Sequence, residues 1–158
     1  MKTIREIVKE SKKVASTRGK IQMMFNVIAP CFTKVGGSYA LKYQHEAFTD
    51  REAKDYDFIV YAKDREGYQK LFQFFILLSS IIMDKTYYSN PSVYFGTIND
   101  KRVNVILSEK LLESSSSTFE DAEHIIQIKK TWIEYYQTKG KMPRAKDIQD
   151  VNTYNNYK

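Results

Sequence analysis

The chain has 158 residues, a formal net charge of +6 and a hydrophobic fraction of 42%. That length and composition allow one domain to bury a core without disulfide support, and the single cysteine, Cys31, excludes an internal disulfide framework. The most apolar stretch, residues 71–83, is interrupted by polar residues and is shorter than the roughly 20 residues that cross a bilayer. We therefore expect a cytoplasmic protein with no membrane partner.

Apolar periodicity predicts two helices before Pro30. The first rests on Ile4, Ile7, Val8 and Val14, and the second on Ile21, Met24, Phe25 and Ile28. Residues 1–20 also hold seven basic side chains against two acidic ones. A solvated helix face and a contact with a polyanion such as RNA both account for this charge.

A glycine turn separates the next predicted strand and helix. Cys31 to Val35 has strand character, Gly36 and Gly37 permit a tight bend, and Ser38 begins a helix that runs to about Gln44. The free N–H groups at such a helix start favour an anion such as phosphate. Because no Walker lysine follows the glycines, the turn is not a P-loop.

Two carboxylates, Asp55 and Asp57, precede the apolar run that begins at Phe58. Residues two apart in a strand share a face, so these side chains are expected side by side. Such a pair needs a counter-charge, and Mg²⁺ prefers oxygen ligands of this kind. The glycine turn and the carboxylates together predict a nucleotide site.

The order GGSYAL and then REAKDYDF resembles the signature of nucleotidyltransferases of the DNA polymerase β-like superfamily. The portion from Arg51 to Asp57 is most similar to the AbiEii-type toxins of type IV toxin–antitoxin systems. The resemblance implies that Asp55 and Asp57 bind Mg²⁺ and act in catalysis. It also implies that Gly36, Gly37 and Ser38 bind the phosphates of an NTP.

Two residues of this segment have open roles. Arg51 either binds a phosphate or forms a structural ion pair with the aspartates. His45 has no second histidine or cysteine at ligand spacing, so we do not expect it to bind a metal.

A long buried helix and a hairpin follow. Asp64 is expected to cap a helix that runs to about Met83 and is apolar around most of its circumference. Residues 92–98 and 101–107 alternate as two hairpin strands. The resembling superfamily often places a third carboxylate on this later strand, and Asn104 stands there, with no charge and no ability to take a proton.

The C-terminal portion follows a serine-rich linker at residues 114–117. Its first helix, from 119 to about 136, has an apolar stripe that contains Lys129, which needs a partner or an exit to solvent. The stripe is Ala122, Ile125, Ile126, Trp132, Ile133 and Tyr136. The resemblance implies that Lys129 contacts phosphates and that Asp147 or Asp150 anchors it or the helix packing.

The predicted fold is α/β (α+β), a mixed β-sheet flanked by helices, with a helical C-terminal portion. One domain spans 1–158, with N-terminal helices in 1–30, the sheet core in 31–112 and C-terminal helices in 118–158. The resemblance implies Mg²⁺-dependent transfer of a nucleoside monophosphate from an NTP to an RNA (tRNA) or protein acceptor. A bacterial or phage toxin with an antitoxin partner would fit.

Two alternatives remain open. One is a catalytically degenerate protein that binds a nucleotide or a partner, because Asn104 replaces the third carboxylate. The other is an RNA-binding module that uses the basic first helix.

Overall fold

The computed structural model describes residue 6 and residues 16–82, 85–90, 93–98, 101–111 and 118–157. Two predicted features, the first helix around Ile4 to Val14 and the serine linker at 114–117, lie outside these residues. Within them the chain is mixed α/β, as the sequence predicts. The elements are α1 (Thr17–Asn26), β1 (Cys31–Gly36), α2 (Gly37–Gln44), a 3-10 helix (Glu46–Phe48), β2 (Tyr56–Ala62), α3 (Arg65–Ile82), β3 (Lys85–Asn90), β4 (Val93–Ile98), β5 (Lys101–Ser108), α4 (Ala122–Thr138) and α5 (Ala145–Asn156).

The five strands form one sheet in the order β1-β2-β5-β4-β3. β2 and β5 are parallel, and the other neighbouring pairs are antiparallel. The predicted hairpin is confirmed, since β4 and β5 pair antiparallel with Val93 opposite Ile106. β3 was not predicted, because its sequence KTYYSN lacks apolar alternation, and it forms by pairing with β4.

The main core lies between one face of the sheet and helices α1 and α3. Strand alternation places Phe58, Val60, Val103 and Val105 in this core. Residues between them, such as Asp57, point to the opposite face. That alternation brings polar side chains together on the side of the sheet away from the core.

Helix α3 begins where the sequence predicts. The Asp64 side chain caps it, accepting a hydrogen bond from the Gly67 backbone N–H at 2.6 Å. The expectation of burial around most of the helix is wrong, since Leu71 is buried but Phe72 and Phe74 are exposed. In the described part of the chain, no helix combines the length and apolar character that a membrane span requires.

A second, smaller core joins α2, the 3-10 helix, α4 and α5. Its buried members are Ala40, Leu41, Phe48, Ala122, Ile125, Ile126 and Val151. Tyr154 packs against it, and the centroids of the Tyr154 and His45 rings are 5.3 Å apart. Helix α5, which ends at Asn156, is thus attached to this core near its C-terminal end.

A short segment before α4 pairs with the outer edge of β1. The Val35 N–H donates to the Thr118 carbonyl at 2.8 Å, and the Glu120 N–H donates to the Val35 carbonyl at 2.8 Å. This parallel bridge attaches the start of the C-terminal helices to the sheet.

Candidate functional site

The site begins where β1 ends and α2 begins. Gly37 has a φ of +60°, which favours glycine, and a Cβ added there would lie 2.1 Å from Asp57 Oδ2. Any side chain at Gly37 would therefore be strained and would collide with Asp57. The carboxylate of β2 lies directly against the first residue of the helix.

Gly36, the first glycine of the predicted phosphate turn, lies differently from Gly37 and Ser38. It lies opposite Asp57 in the sheet, but it is not part of the cleft lining. A Cβ at Gly36 would be 2.8 Å from Ile59 Cδ1, so this glycine permits close packing instead.

Asp57 and Asn104 are neighbours in the parallel pair of β2 and β5. The Asn104 Nδ2 group donates a hydrogen bond to Asp57 Oδ1 at 2.6 Å. Among the residues that the structure describes, Asn104 Oδ1 and Ser38 Oγ are buried and have no hydrogen-bond partner. These two polar atoms of the site are therefore candidates for hydrogen bonds to a ligand.

A cleft of about 1010 Å³ opens over these residues. Besides Gly37, Ser38 and Asn104 it is lined by three carboxylates and by six cationic side chains. The carboxylates belong to Glu52, Asp55 and Asp57, and the cations to Arg51, Lys54, Arg102, Lys129, Arg144 and Lys146. An anionic ligand suits this excess of positive charge.

The two predicted carboxylates lie together but differ in their surroundings. Asp55 precedes β2 and is half-exposed, with Oδ2 3.7 Å from Arg102 Nε. Asp57 is more enclosed, and burial raises its pKa, with a smaller contribution from the charge of Asp55. The hydrogen bond from Asn104 and the charge of Lys146 act in the opposite direction. A cation in the cleft would favour the ionised form of Asp57.

Lys129 is held by two buried carboxylates from α5. Its Nζ lies 3.3 Å from Asp147 Oδ1 and 3.2 Å from Asp150 Oδ2. Asp147 also accepts from Arg144 Nε at 2.8 Å, and Asp150 from Arg51 Nε at 2.9 Å. The two aspartates are almost fully buried, so they depend on these three cations for charge compensation.

This cluster shows where three predicted residues lie. Arg51 forms its ion pair with Asp150, not with Asp55 or Asp57, and it lines the cleft, where it can also meet a phosphate. Lys129 finds partners and does not exit to solvent. Asp147 is buried outside the cleft lining and is paired with Lys129 and Arg144.

Several cleft residues were not predicted as site residues. Lys146 lines the cleft, and its pKa is lowered by burial and by the charges of Lys129 and Arg51. Arg102, Arg144, Trp132 and Tyr136 complete this group. The sequence signal for Lys146 was its place directly before Asp147 in the segment Lys146-Asp147-Ile148-Gln149-Asp150, and Arg144 lies three residues before the same aspartate.

His45 has a structural role, in keeping with its sequence context. Its Nδ1 accepts a hydrogen bond from the Ala47 N–H at 3.2 Å and caps the 3-10 helix. The ring packs on Phe48, Tyr154 and Tyr157, away from the residues of the cleft.

The residues present fit Mg²⁺ in one limited way. No group of three or more His, Cys, Asp or Glu side chains that could hold a metal occurs among the residues that the structure describes. Asp55, Asp57 and the unpartnered Asn104 Oδ1 are oxygen donors, and Mg²⁺ is commonly held by one or two carboxylates together with substrate phosphates and water. The site therefore suits a metal that arrives with a phosphate ligand.

No protein-family model matches this chain, and no match is found among curated proteins. The function is therefore inferred from the geometry of the cleft and from the residues that line it.

Proposed function

We propose that this protein is a Mg²⁺-dependent nucleotidyltransferase that moves a nucleoside monophosphate from an NTP to an RNA or protein acceptor. One observation carries the proposal: Gly37 and Asp57 are so close that a Cβ would lie 2.1 Å from the carboxylate oxygen. A helix start that favours phosphate, directly beside a carboxylate of the type that binds metals, supports the proposal. Phosphate and divalent metal are bound together in nucleotide-transfer chemistry.

The chain's own residues divide the work. Gly37 and Ser38 bind the outer phosphates through the helix start, and the unpartnered Ser38 Oγ adds a hydrogen-bonding group. Asp55 and Asp57 hold Mg²⁺, which when bound neutralises phosphate charge and supports attack at the α-phosphorus. Arg51, supported by Asp150, adds further positive charge beside the phosphates.

The helices opposite the sheet also present positive charge to an anion in the cleft. Lys129 lines the cleft while its two aspartates hold it in place from behind. Lys146 stands beside it with its charge directed to the same space. These positions favour the pyrophosphate leaving group, whose negative charge grows as the bond to the α-phosphorus breaks.

A second function has one specific observation in its favour. Asn104 occupies the place level with Asp57, and it donates a hydrogen bond to that carboxylate. An amide there takes no proton from an attacking hydroxyl group. The alternative proposal is a degenerate protein of the same fold that binds a nucleotide or a protein partner and transfers nothing.

Radiolabelled nucleotide transfer tests the two functions directly. The purified protein is incubated with each α-³²P-labelled NTP, Mg²⁺ and either total RNA or a protein extract. The control is Asp57→Asn, which keeps an oxygen to accept the Asn104 hydrogen bond but removes the charge. We expect label on one acceptor class with the wild type, and transfer at least about 1000-fold slower with the variant.

The outcomes separate the proposals. Equal transfer by wild type and Asp57→Asn would rule out the assigned metal site. NTP binding that needs Mg²⁺, with no labelled acceptor in either pool, would replace the transferase by the degenerate binder.

A further inference from the structure

The second half of α4 carries exposed aromatic side chains. Trp132, which belongs to the predicted apolar stripe, is 45% exposed, and Tyr135, which lies outside that stripe, is 49% exposed, although the first half of the helix is packed into the smaller core. Trp132 and Tyr136 line the cleft, and their ring centroids are 6.2 Å apart. These two rings are the largest apolar surfaces in a cleft otherwise dominated by charge.

The aromatic residues continue the helix face that carries Lys129. Residues at i, i+3 and i+7 lie along one side of a helix, so Lys129, Trp132 and Tyr136 form a row. At a rise of about 1.5 Å per residue, Trp132 lies about 4.5 Å and Tyr136 about 10 Å from Lys129 along the helix axis. The row changes from a cation to flat rings within two turns.

A nucleotide has the same change of character along its length. Its phosphates match the cations and the helix start, and its base is a flat ring that stacks on aromatic side chains. A cleft of about 1010 Å³ has room for such a ligand. The combination of charge complementarity and an exposed indole favours a nucleotide over a purely anionic ligand such as pyrophosphate.

We propose that Trp132, with Tyr136 beside it, is the stacking platform for the base of the nucleotide whose phosphates bind at Gly37 and Ser38. The inference rests on the proposed function only in requiring a nucleotide in the cleft, not in requiring transfer. Tyr135 packs edge-on against Trp132 with centroids 5.7 Å apart and supports it from outside the cleft lining. Stacking on an indole is tolerant of sequence, so this platform supplies affinity for any base and a modest preference for larger ones.

Intrinsic fluorescence tests the inference directly, because Trp132 is the only tryptophan of the chain. The protein is titrated with each of the four NTPs and with inorganic triphosphate, all in Mg²⁺. We expect a bound NTP to quench the Trp132 emission strongly. Inorganic triphosphate, which has no base, should bind with little quenching.

Substitutions provide the second measurement, with affinities from calorimetry. Trp132→Leu is expected to weaken NTP binding about 10-fold or more and to change triphosphate binding less than about twofold. Trp132→Phe, which keeps an aromatic ring, should retain most of the affinity. Ile128→Ala removes an exposed apolar side chain of the same helix outside the cleft lining and should change NTP affinity less than about twofold. Circular dichroism checks that each variant folds, and the wild-type titration stands if one does not.

Four outcomes would overturn the inference. NTP binding without quenching and without an effect of Trp132→Leu would do so while leaving the transferase proposal intact. Equal losses for NTP and triphosphate would show a structural role for the ring. An effect that appears only with an acceptor present would place the ring on the acceptor side. Absence of any nucleotide binding would remove both proposals, whereas quenching without transfer would support the platform and remove only the transferase.

Discussion

The two walls of the cleft are built by different physical means. The sheet wall consists of Gly37, Ser38, Asp55, Asp57 and Asn104, and the strand register brings Gly37, Asp57 and Asn104 together. The helical wall consists of the cleft-lining residues of α4 and α5 with Arg144 just before α5, and buried ion pairs hold it together. We infer that the sheet wall is sensitive to added volume and the helical wall to lost charge.

The largest expected loss of stability comes from a substitution on the helical wall. Lys129→Met would leave Asp147 and Asp150 each with one cation fewer, and breaking a buried pair costs about 3–5 kcal/mol. Denaturant unfolding would measure the loss. Lys130→Met, at the less buried neighbouring lysine, is the matched control and should change stability by less than about 0.5 kcal/mol.

A double variant separates stability from chemistry on this wall. Lys129→Met combined with Asp150→Asn removes one uncompensated charge and should recover part of the lost stability. Transfer activity should stay low, because Lys129, one of the cations that line the cleft, is still missing. Recovery of both together would mean that Lys129 serves the fold alone.

The sheet wall is tested by adding one methyl group. Gly37→Ala would combine a positive φ with a Cβ 2.1 Å from Asp57 Oδ2, and we expect a loss of about 2–3 kcal/mol together with loss of nucleotide binding. Gly140→Ala is the matched control, since Gly140 has a φ of +67° and no atom within 4 Å of the added Cβ. It should lose only about 1 kcal/mol in thermal or denaturant unfolding. Equal losses at the two glycines would contradict the close approach at Asp57.

A substitution at Asn104, on the sheet wall, has a smaller expected effect on stability and distinguishes the transferase from the degenerate binder. Asn104→Asp would replace a hydrogen-bond donor to Asp57 by a second carboxylate, so we expect a loss of about 1–2 kcal/mol without metal. Added Mg²⁺ should recover this loss, and the melting temperature with and without Mg²⁺ would show it. If wild-type transfer is limited by the missing third carboxylate, the variant should also transfer faster. Melting curves unaffected by Mg²⁺ for both proteins would argue against the metal site.

The smallest expected effect on stability is at Glu120, in the segment that joins α4 to the sheet. Burial raises the pKa of Glu120, against the nearby charges of His124 and Lys34, and Asp121 raises it further. A carboxyl group with a raised folded-state pKa stabilises the fold below its unfolded pKa and loses that contribution as pH rises through the folded value. Glu120→Gln should therefore be more stable than wild type at neutral pH, by less than about 1 kcal/mol.

The pH dependence gives the check on this prediction. The stability advantage of Glu120→Gln should shrink as the pH falls toward 4 in paired unfolding curves. An advantage that is constant with pH would mean that the charge of Glu120 is not the cause.

The sheet wall could be predicted from the sequence because its signals are local. The glycine turn, the apolar run after Asp57 and the alternation around Asn104 each specify a strand or a bend. Of the strand pairings, the alternation predicts the hairpin of β4 and β5, whereas the parallel pairing of β2 with β5 has no local signal. Of the described strands, only β3 was not predicted, since its residues carry no apolar alternation and depend on β4 for pairing.

The helical wall could not be predicted in the same way. Arg51 and Asp150 meet across 99 residues, and no local pattern marks that partnership. Trp132 belongs to an apolar stripe that is buried at Ile125 and still packs against the smaller core at Ile133, yet Trp132 itself is exposed and lines the cleft. Periodicity shows which residues share a helix face, not which part of that face a neighbouring element covers.

The bridge between residues 118–120 and β1 bears on self-association. An open strand edge is a template for pairing with another molecule, and natural proteins cover such edges. At Val35 both backbone groups are already used by the protein's own C-terminal half. Cleavage or local opening just before α4 would therefore uncover this part of the edge, and aggregation would begin there while the rest of the sheet is still folded.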